Sequence, residues 1–292
     1  MTDKIQLVFS MLIFSTIGLF VRLVSLPSGF IAMCRGFVGV LFLLIFSLVS
    51  KKKISFAAIR KNWLLLLLSG AAIGINWVLL FEAYRYTSVA VATLCYYFAP
   101  IFLIIVSSVI LREKLTLKKI ICITGALIGM ACISGIFSPS FSFGSIKGIL
   151  LGTGAAVFYT SVIIINKFLK DITALEKTIC QLLIAAIIIV PYFIISESSS
   201  ISQISFTSVS VLILIGILHT GIAYVLYFNS IKSLPPQTVA ILSYIDPAAA
   251  ILLSTIILKE NIGLSGALGA LLIIASAMAS EFDINHDYRL SR

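Results

Sequence analysis

Apolar runs of about 20 residues, parted by short polar or turn-rich breaks, follow one another along almost the whole of this chain. As helices, such runs cover the roughly 30 Å of bilayer hydrocarbon. The pattern predicts ten spans, at 5–25, 30–49, 63–84, 89–111, 118–137, 148–167, 177–195, 209–231, 236–257 and 264–281. Among the breaks are Pro27-Ser28-Gly29, Lys51-Lys52-Lys53, Ser138-Pro139-Ser140 and the polar run from Ser196 to Ser205. The first run has no small-residue cleavage site after it and continues into further spans, so it reads as a span and not as a signal peptide.

A second pattern lies over the first. Shifted by 147 positions, the chain matches itself without a gap at Phe81/Phe228, Tyr97/Tyr244, Pro100/Pro247, Ser107/Ser254 and Glu113/Glu260. Apolar matches carry little weight in such a sequence. A mid-span proline followed thirteen residues later by a basic–acidic pair, Arg112-Glu113 and again Lys259-Glu260, carries more. The expectation is an all-α integral membrane protein of ten transmembrane helices in two five-helix repeats, residues 1–140 and 141–292. Five is odd, so the second repeat would enter the membrane inverted relative to the first, as in many secondary transporters.

Composition changes the picture only by excluding classes. Hydrophobic residues make up 60% and charged residues 11%, too apolar a balance for a soluble core to hide. The net charge of +10 reads as topology and not as a nucleic-acid footprint. With both termini inside the cytoplasmic (inner) cell membrane, the lysines and arginines collect in cytoplasmic segments. Only Arg85, Lys147 and Lys259 face outward, and Arg22 and Arg35 fall within spans. Cys34, Cys95, Cys122, Cys132 and Cys180 sit inside spans with no metal or redox spacing, so no metal and no cofactor are expected. No glycine-rich loop ending in Gly-Lys-Ser/Thr is present, which leaves no route to ATP.

Candidate chemistry then rests on residues that contradict their surroundings. Asp246 is the deepest charge, beside Pro247, and its counterpart Ala99 carries none. It reads either as a carboxylate satisfying backbone groups freed by the proline or as a group binding a substrate amine or a proton. His219 lies mid-span, either as a buried polar contact or as a proton-coupling partner of Asp246. Arg35 fits two roles, holding a substrate carboxylate or pairing with Glu82, whereas Arg22 snorkels to the headgroups. Asn76 and the aromatics Trp77, Tyr97, Tyr224 and Tyr244 form a candidate lining, against a background in which most aromatic stripes are packing. Glycine pairs at Gly70/Gly74, Gly125/Gly129 and Gly266/Gly269 suit close helix packing in the bundle more than a homodimer face.

Arg35, Ala83 with Tyr86-Thr87-Ser88, Pro100 and Arg112-Glu113-Lys114-Leu115-Thr116 resemble the first half of an EamA-type transporter of the drug/metabolite superfamily. Ser243-Tyr244-Ile245-Asp246-Pro247 and Leu258-Lys259-Glu260 resemble the second half; Gly263-Leu264-Ser265 departs from the charged residues that follow Glu113. The resemblance covers nearly the whole chain. It implies two inverted repeats around a substrate cavity; members of the family export amino acids and related metabolites, while some relatives import small organic solutes. The reading adopted is export of an amino acid or related zwitterion, with alternating access following from the inverted repeats. Two alternatives stand beside that: import of a small cationic or nucleoside-like metabolite, and, distantly, a membrane-embedded enzyme. The chain lacks the clustered acids or histidines that the enzyme would need. The partners expected are a small-molecule substrate and the lipid bilayer.

Overall fold

In lipid an apolar run has no water to satisfy its backbone, so it closes its hydrogen bonds within the segment as a helix. The computed structural model describes residues 3–21, 23–87, 89–112, 116–133, 145–197, 204–258 and 263–281, and every regular element among them is helical. Arg22, Ser88, Glu113, Lys114, Leu115, Ser138-Pro139-Ser140, residues 198–203, Lys259, Glu260, Arg289 and Arg292 lie outside the described residues. The order is α1 (Asp3–Val21), α2 (Ser28–Val49), α3 (Phe56–Lys61), α4 (Trp63–Tyr86), α5 (Val89–Tyr96), α6 (Ala99–Ile110), α7 (Leu117–Ile133), α8 (Ile146–Phe168) and α9 (Ala174–Ser196). Then come α10 (Phe206–Leu214), a π-helical stretch (Ile215–Ile222) continuous with α11 (Ala223–Ser233), α12 (Pro236–Leu242), α13 (Ile245–Leu258) and α14 (Gly263–Glu281).

Local chemistry sets several boundaries. Pro27 precedes α2, and Ser55, Ser145 and Ser205 cap α3, α8 and α10 through their hydroxyls. Thr173 and Glu176 form a reciprocal capping box at the start of α9. Among the described residues six helices are long and apolar enough to cross a membrane: α1, α2, α4, α8, α9 and the continuous Phe206–Ser233 helix. Their outward faces, with Leu48, Val49, Ile195 and Phe206 among the most exposed side chains, present hydrocarbon and not charge. The chain is a multi-pass membrane protein.

Two expected spans are not single helices. Segment 89–111 breaks between α5 and α6 at Tyr97-Phe98, and segment 236–257 breaks between α12 and α13 at Ser243-Tyr244. Pro100 and Pro247 have no N–H to give and would clash with the carbonyl one turn back. The chain therefore closes α5 with Tyr97 N–H to Thr93 O (2.9 Å) and starts α6 afresh with Pro100 in its first turn. At 12 residues, α6 covers only about 18 Å by itself.

Helix boundaries recur at the sequence offset. Shifting α2 by 147 gives residues 175–196, against Ala174–Ser196 for α9; shifting α6 gives 246–257, against Ile245–Leu258 for α13. Packing is reciprocal as well. Helix α4 lies against α8 and α9, while the π–α11 helix and its counterpart partners do the same: α11 against α1, the π stretch against α2. Likewise α6 packs on α8 and α13 on α1, and the equivalent pairs α2/α9 and α7/α14 pack on each other. The glycine pairs serve these seams. A Cβ at Gly74 would lie 2.8 Å from Ile188 Cβ on α9, and one at Gly129 would lie 2.7 Å from the Gly269 carbonyl on α14.

Candidate functional site

The reciprocal seams bring aromatic side chains from both halves to the middle of the bundle. Trp77 on α4 and Tyr224 on α11 are equivalent at the 147 offset and meet edge to face, centroids 6.1 Å apart. From Tyr224 ring contacts run on to Phe14 (5.2 Å) and Tyr227 (6.5 Å), from Tyr227 to Tyr159 (6.4 Å), and from Tyr159 to Tyr96 (5.6 Å). Tyr96 meets Tyr97 (5.6 Å), which stacks on its own equivalent Tyr244 (6.1 Å). The hydroxyls of Tyr159 and Tyr227 are 2.6 Å apart. One continuous aromatic wall results, and Tyr96, Tyr97, Tyr159 and Tyr224 along it are only part-buried although they sit within the bundle.

A guanidinium and a carboxyl group stand at the two ends of the wall. At one end the Arg35 guanidinium carbon lies over the Trp77 indole, 3.9 Å from the ring centroid, an attraction of about 2 kcal/mol or more in a desolvated setting. Its Nε is buried with no hydrogen-bond partner. At the other end Asp246 Oδ2 accepts a hydrogen bond from the Tyr97 hydroxyl at 3.1 Å. The break before Pro247 places Asp246 in the first turn of α13, where the backbone dipole favours negative charge, and not in mid-helix as the span reading had it. The Tyr244 hydroxyl donates to the Tyr97 carbonyl (2.9 Å), so the two helix breaks hold each other.

Two pairings and one lining residue expected from sequence find other partners. Glu82 is not a partner of Arg35; it accepts from Arg85 (2.9 Å) and from the Tyr192 hydroxyl (3.0 Å). His219 is not paired with Asp246; its Nε2 contacts Thr16 Oγ1 at 2.8 Å, and its ring meets Phe20 edge to face. Asn76 donates its amide to the Ala155 carbonyl (2.6 Å), which ties α4 to α8 and takes that nitrogen away from the wall. Arg35, Trp77, Tyr224, Tyr97, Tyr244 and Asp246 do come together. Sequence reasoning missed Phe14, Tyr96 and Tyr159. Nothing but their residue type marks them, because their relevance depends on which way α1, α5 and α8 are rotated.

Among the described residues no group of three His, Cys, Asp or Glu side chains could hold a metal. Comparison with known proteins gives one consistent answer. The profile of the EamA-like transporter family matches twice, over residues 4–135 and 146–280. An "Uncharacterized transporter YxxF" of Bacillus subtilis (strain 168) is 32% identical over 275 residues, covering 94% of this chain and 88% of the relative. Protein PecM of Dickeya dadantii (strain 3937) is 24% identical over 227 residues, 76% of this chain and 74% of that one. A solved crystal structure overlays with a TM-score of 0.85 at 18% identity, covering 99% of both chains, which speaks for the fold alone. Matched over both halves and over nearly its whole length, the chain belongs to the EamA-like transporter family.

Proposed function

We propose that this chain is a secondary transporter that exports a small zwitterionic metabolite, most simply an amino acid, by alternating access. The observation that carries the reading is the wall with a guanidinium at one end and a carboxyl group at the other. Arg35 meets the substrate carboxylate; Asp246 meets its amine or carries the coupling proton. Ten spans in two inverted repeats, residues 1–140 and 141–292, with both termini on the cytoplasmic side of the inner membrane, complete the proposal. The recurrence of helix boundaries and the reciprocal packing support it. Two packings related by exchange of the repeats would open the wall to one side and then to the other.

The test is flux in reconstituted vesicles. Saturable efflux of one labelled amino acid from a panel, driven by a pH gradient, is the expected result; no flux of any of them would sink the reading. Topology is checked separately, with a reporter after Arg292 expected in the cytoplasm and one in the 196–205 loop expected outside. A second reading, uptake of a cationic or nucleoside-like metabolite, draws on the tyrosines beside Asp246, which would cage a cation. The same vesicles loaded in the opposite sense, with a labelled cation, decide between the two.

A further inference from the structure

The wall leaves three buried polar atoms at the seam of α2 and the π-helical stretch unaccounted for. The π-helical stretch packs directly on α2: a Cβ at Gly39 would meet the Thr220 methyl at 3.0 Å and the Gly216 carbonyl at 3.1 Å, and one at Gly216 would lie 3.4 Å from the Arg35 carbonyl. Here Arg35 is an electrostatic neighbour of both His219 and Tyr224. Arg35 Nε, His219 Nδ1 and Thr220 Oγ1 are all buried without a hydrogen-bond partner, at a seam where such groups are costly. His219 and Thr220 are 1% and 0% exposed.

Two of these orphans have a local cause. On regular helices Thr124, Thr160 and Thr178 donate to the carbonyl four residues back, at 2.6–3.0 Å. Thr220 sits on a π turn, whose wider winding changes the carbonyl beneath it, and its hydroxyl is left over. For His219 the tautomer follows from Thr16. The hydroxyls of Ser10, Ser15 and Thr16 all donate along α1 to the carbonyl three residues back, Thr16 to Ile13 at 2.8 Å. The Thr16 proton being engaged, its oxygen accepts from His219 Nε2–H, and Nδ1 is left as a bare lone pair. The three thus offer a cationic donor, a neutral acceptor and a hydroxyl that can do either.

We propose that Arg35, His219 and Thr220 form the subsite that holds the head group of the exported amino acid. Arg35 takes the carboxylate, His219 Nδ1 accepts from the α-ammonium, and Thr220 bridges. A simple carboxylate or an inorganic anion supplies acceptors only and leaves Nδ1 unsatisfied. The inference rests on the exporter reading but assigns the amine to His219, which leaves Asp246 for coupling. The counterparts at the offset are apolar: Ala72 and Ile73 in the first half for His219 and Thr220, and Ile163 in the second half for Thr16.

The test compares each amino acid of a standard panel with its des-amino acid, by thermal stabilisation of the purified full-length protein and by competition for flux. Wild type should prefer the amino acid by about tenfold or more, the scale of one buried acceptor left unpaired. His219→Phe keeps the ring beside Phe20 and removes both ring nitrogens, while Thr16 keeps its bond to the Ile13 carbonyl; it should bring that preference close to unity while retaining the fold. A His219→Phe protein that folds and keeps the wild-type preference overturns the inference and leaves the exporter reading standing. No response of wild type to any amino acid overturns both. Nitrogen NMR of the histidine rings supplies an arm independent of the variant's folding, since the chain has only 2 histidines. Unprotonated Nδ1 in His219, shifting upfield when an amino acid saturates the protein, is expected; a protonated Nδ1, or none of that shift at saturation, refutes the assignment.

Discussion

The two halves of this molecule share a scaffold and differ in chemistry. Apart from the short α3, they repeat at an offset of 147, down to the breaks before Pro100 and Pro247 and the stacked pair Tyr97 and Tyr244. Strict equivalence would have each of these tyrosines donate its hydroxyl to the other's carbonyl. Tyr244 does so; Tyr97 turns instead to Asp246, where the first half has Ala99. On the third long helix the first half winds regularly through residues 68–75, whereas the second half is π-helical through Ile215–Ile222 and carries His219 and Thr220. Arg35 answers in the other direction, facing Leu182 at the equivalent place in the second half. The duplicated apolar positions make the fold, and the departures from duplication mark the site.

Restoring equivalence at Asp246 is the largest expected effect. Asp246→Asn keeps size and the contact with Tyr97 but cannot exchange a proton, so it should abolish flux driven by a pH gradient while sparing the fold and counterflow exchange. Asp246→Ala, which copies Ala99, should be worse, since Tyr97 loses its acceptor. Unchanged pH dependence of transport in the Asn variant would show the carboxyl group to be structural. Next comes Arg35→Leu, the residue at 182. It removes the guanidinium from the Trp77 face and should cut carboxylate-dependent transport by tenfold or more, about the worth of one charge-assisted hydrogen bond. Loss of folded protein in that variant, read by size-exclusion chromatography, would make Arg35 a packing residue.

The duplication and most helix boundaries were legible in the sequence because both depend on spacing along one chain. Apolar periodicity, prolines and capping residues such as Thr173 and Glu176 act locally. What was not legible depends on rotation and on neighbours far away. Arg35 could not be assigned to Trp77 over Glu82 without knowing that Arg85, three residues on from Glu82, already holds it. The π turn has no compositional mark in Ile215–Ile222, and Pro100 and Pro247 announce a disturbance without saying whether the helix bends or stops. Tyr159 enters the wall through a contact 68 residues away in sequence.

Intermediate effects should follow the seams common to both halves. A methyl at Gly129 meets a backbone oxygen that cannot swing aside, so Gly129→Ala should force α7 and α14 apart and destabilise by about 1–3 kcal/mol. Gly18 on α1 has nothing within 4 Å of its would-be Cβ, and Gly18→Ala should instead stabilise by about 0.5–1 kcal/mol through helix propensity. Asn76→Ala removes the side-chain bond to the Ala155 carbonyl, which keeps its own helix N–H, and should cost about 0.5–1.5 kcal/mol, read as a lower Tm in detergent with the transport selectivity unchanged. Equal Tm values for the Gly129 and Gly18 variants would contradict the packing account.

The smallest expected effect guards against reading every departure from duplication as functional. Lys61 and Asp171 pair at 2.6 Å, and their counterparts at the offset, Ser208 and Val24, are uncharged. By the reasoning applied to Asp246 this pair would qualify as a site. It differs in setting: its side chains are 61% and 74% exposed, at the turn between α8 and α9, where water and salt screen the attraction. The Lys61 ammonium holds the Asp171 carboxyl below the usual carboxylate range. A lowered folded-state value makes its contribution present at neutral pH and lost as pH falls through that value. Screening leaves little to lose, so Lys61→Ala should leave both Tm and flux within error of wild type at neutral pH, and the difference between the two proteins should shrink further in acid. A clear loss of transport in Lys61→Ala would mean that asymmetry alone, without burial, is enough to mark function, and burial would no longer set Asp246, His219 and Arg35 apart.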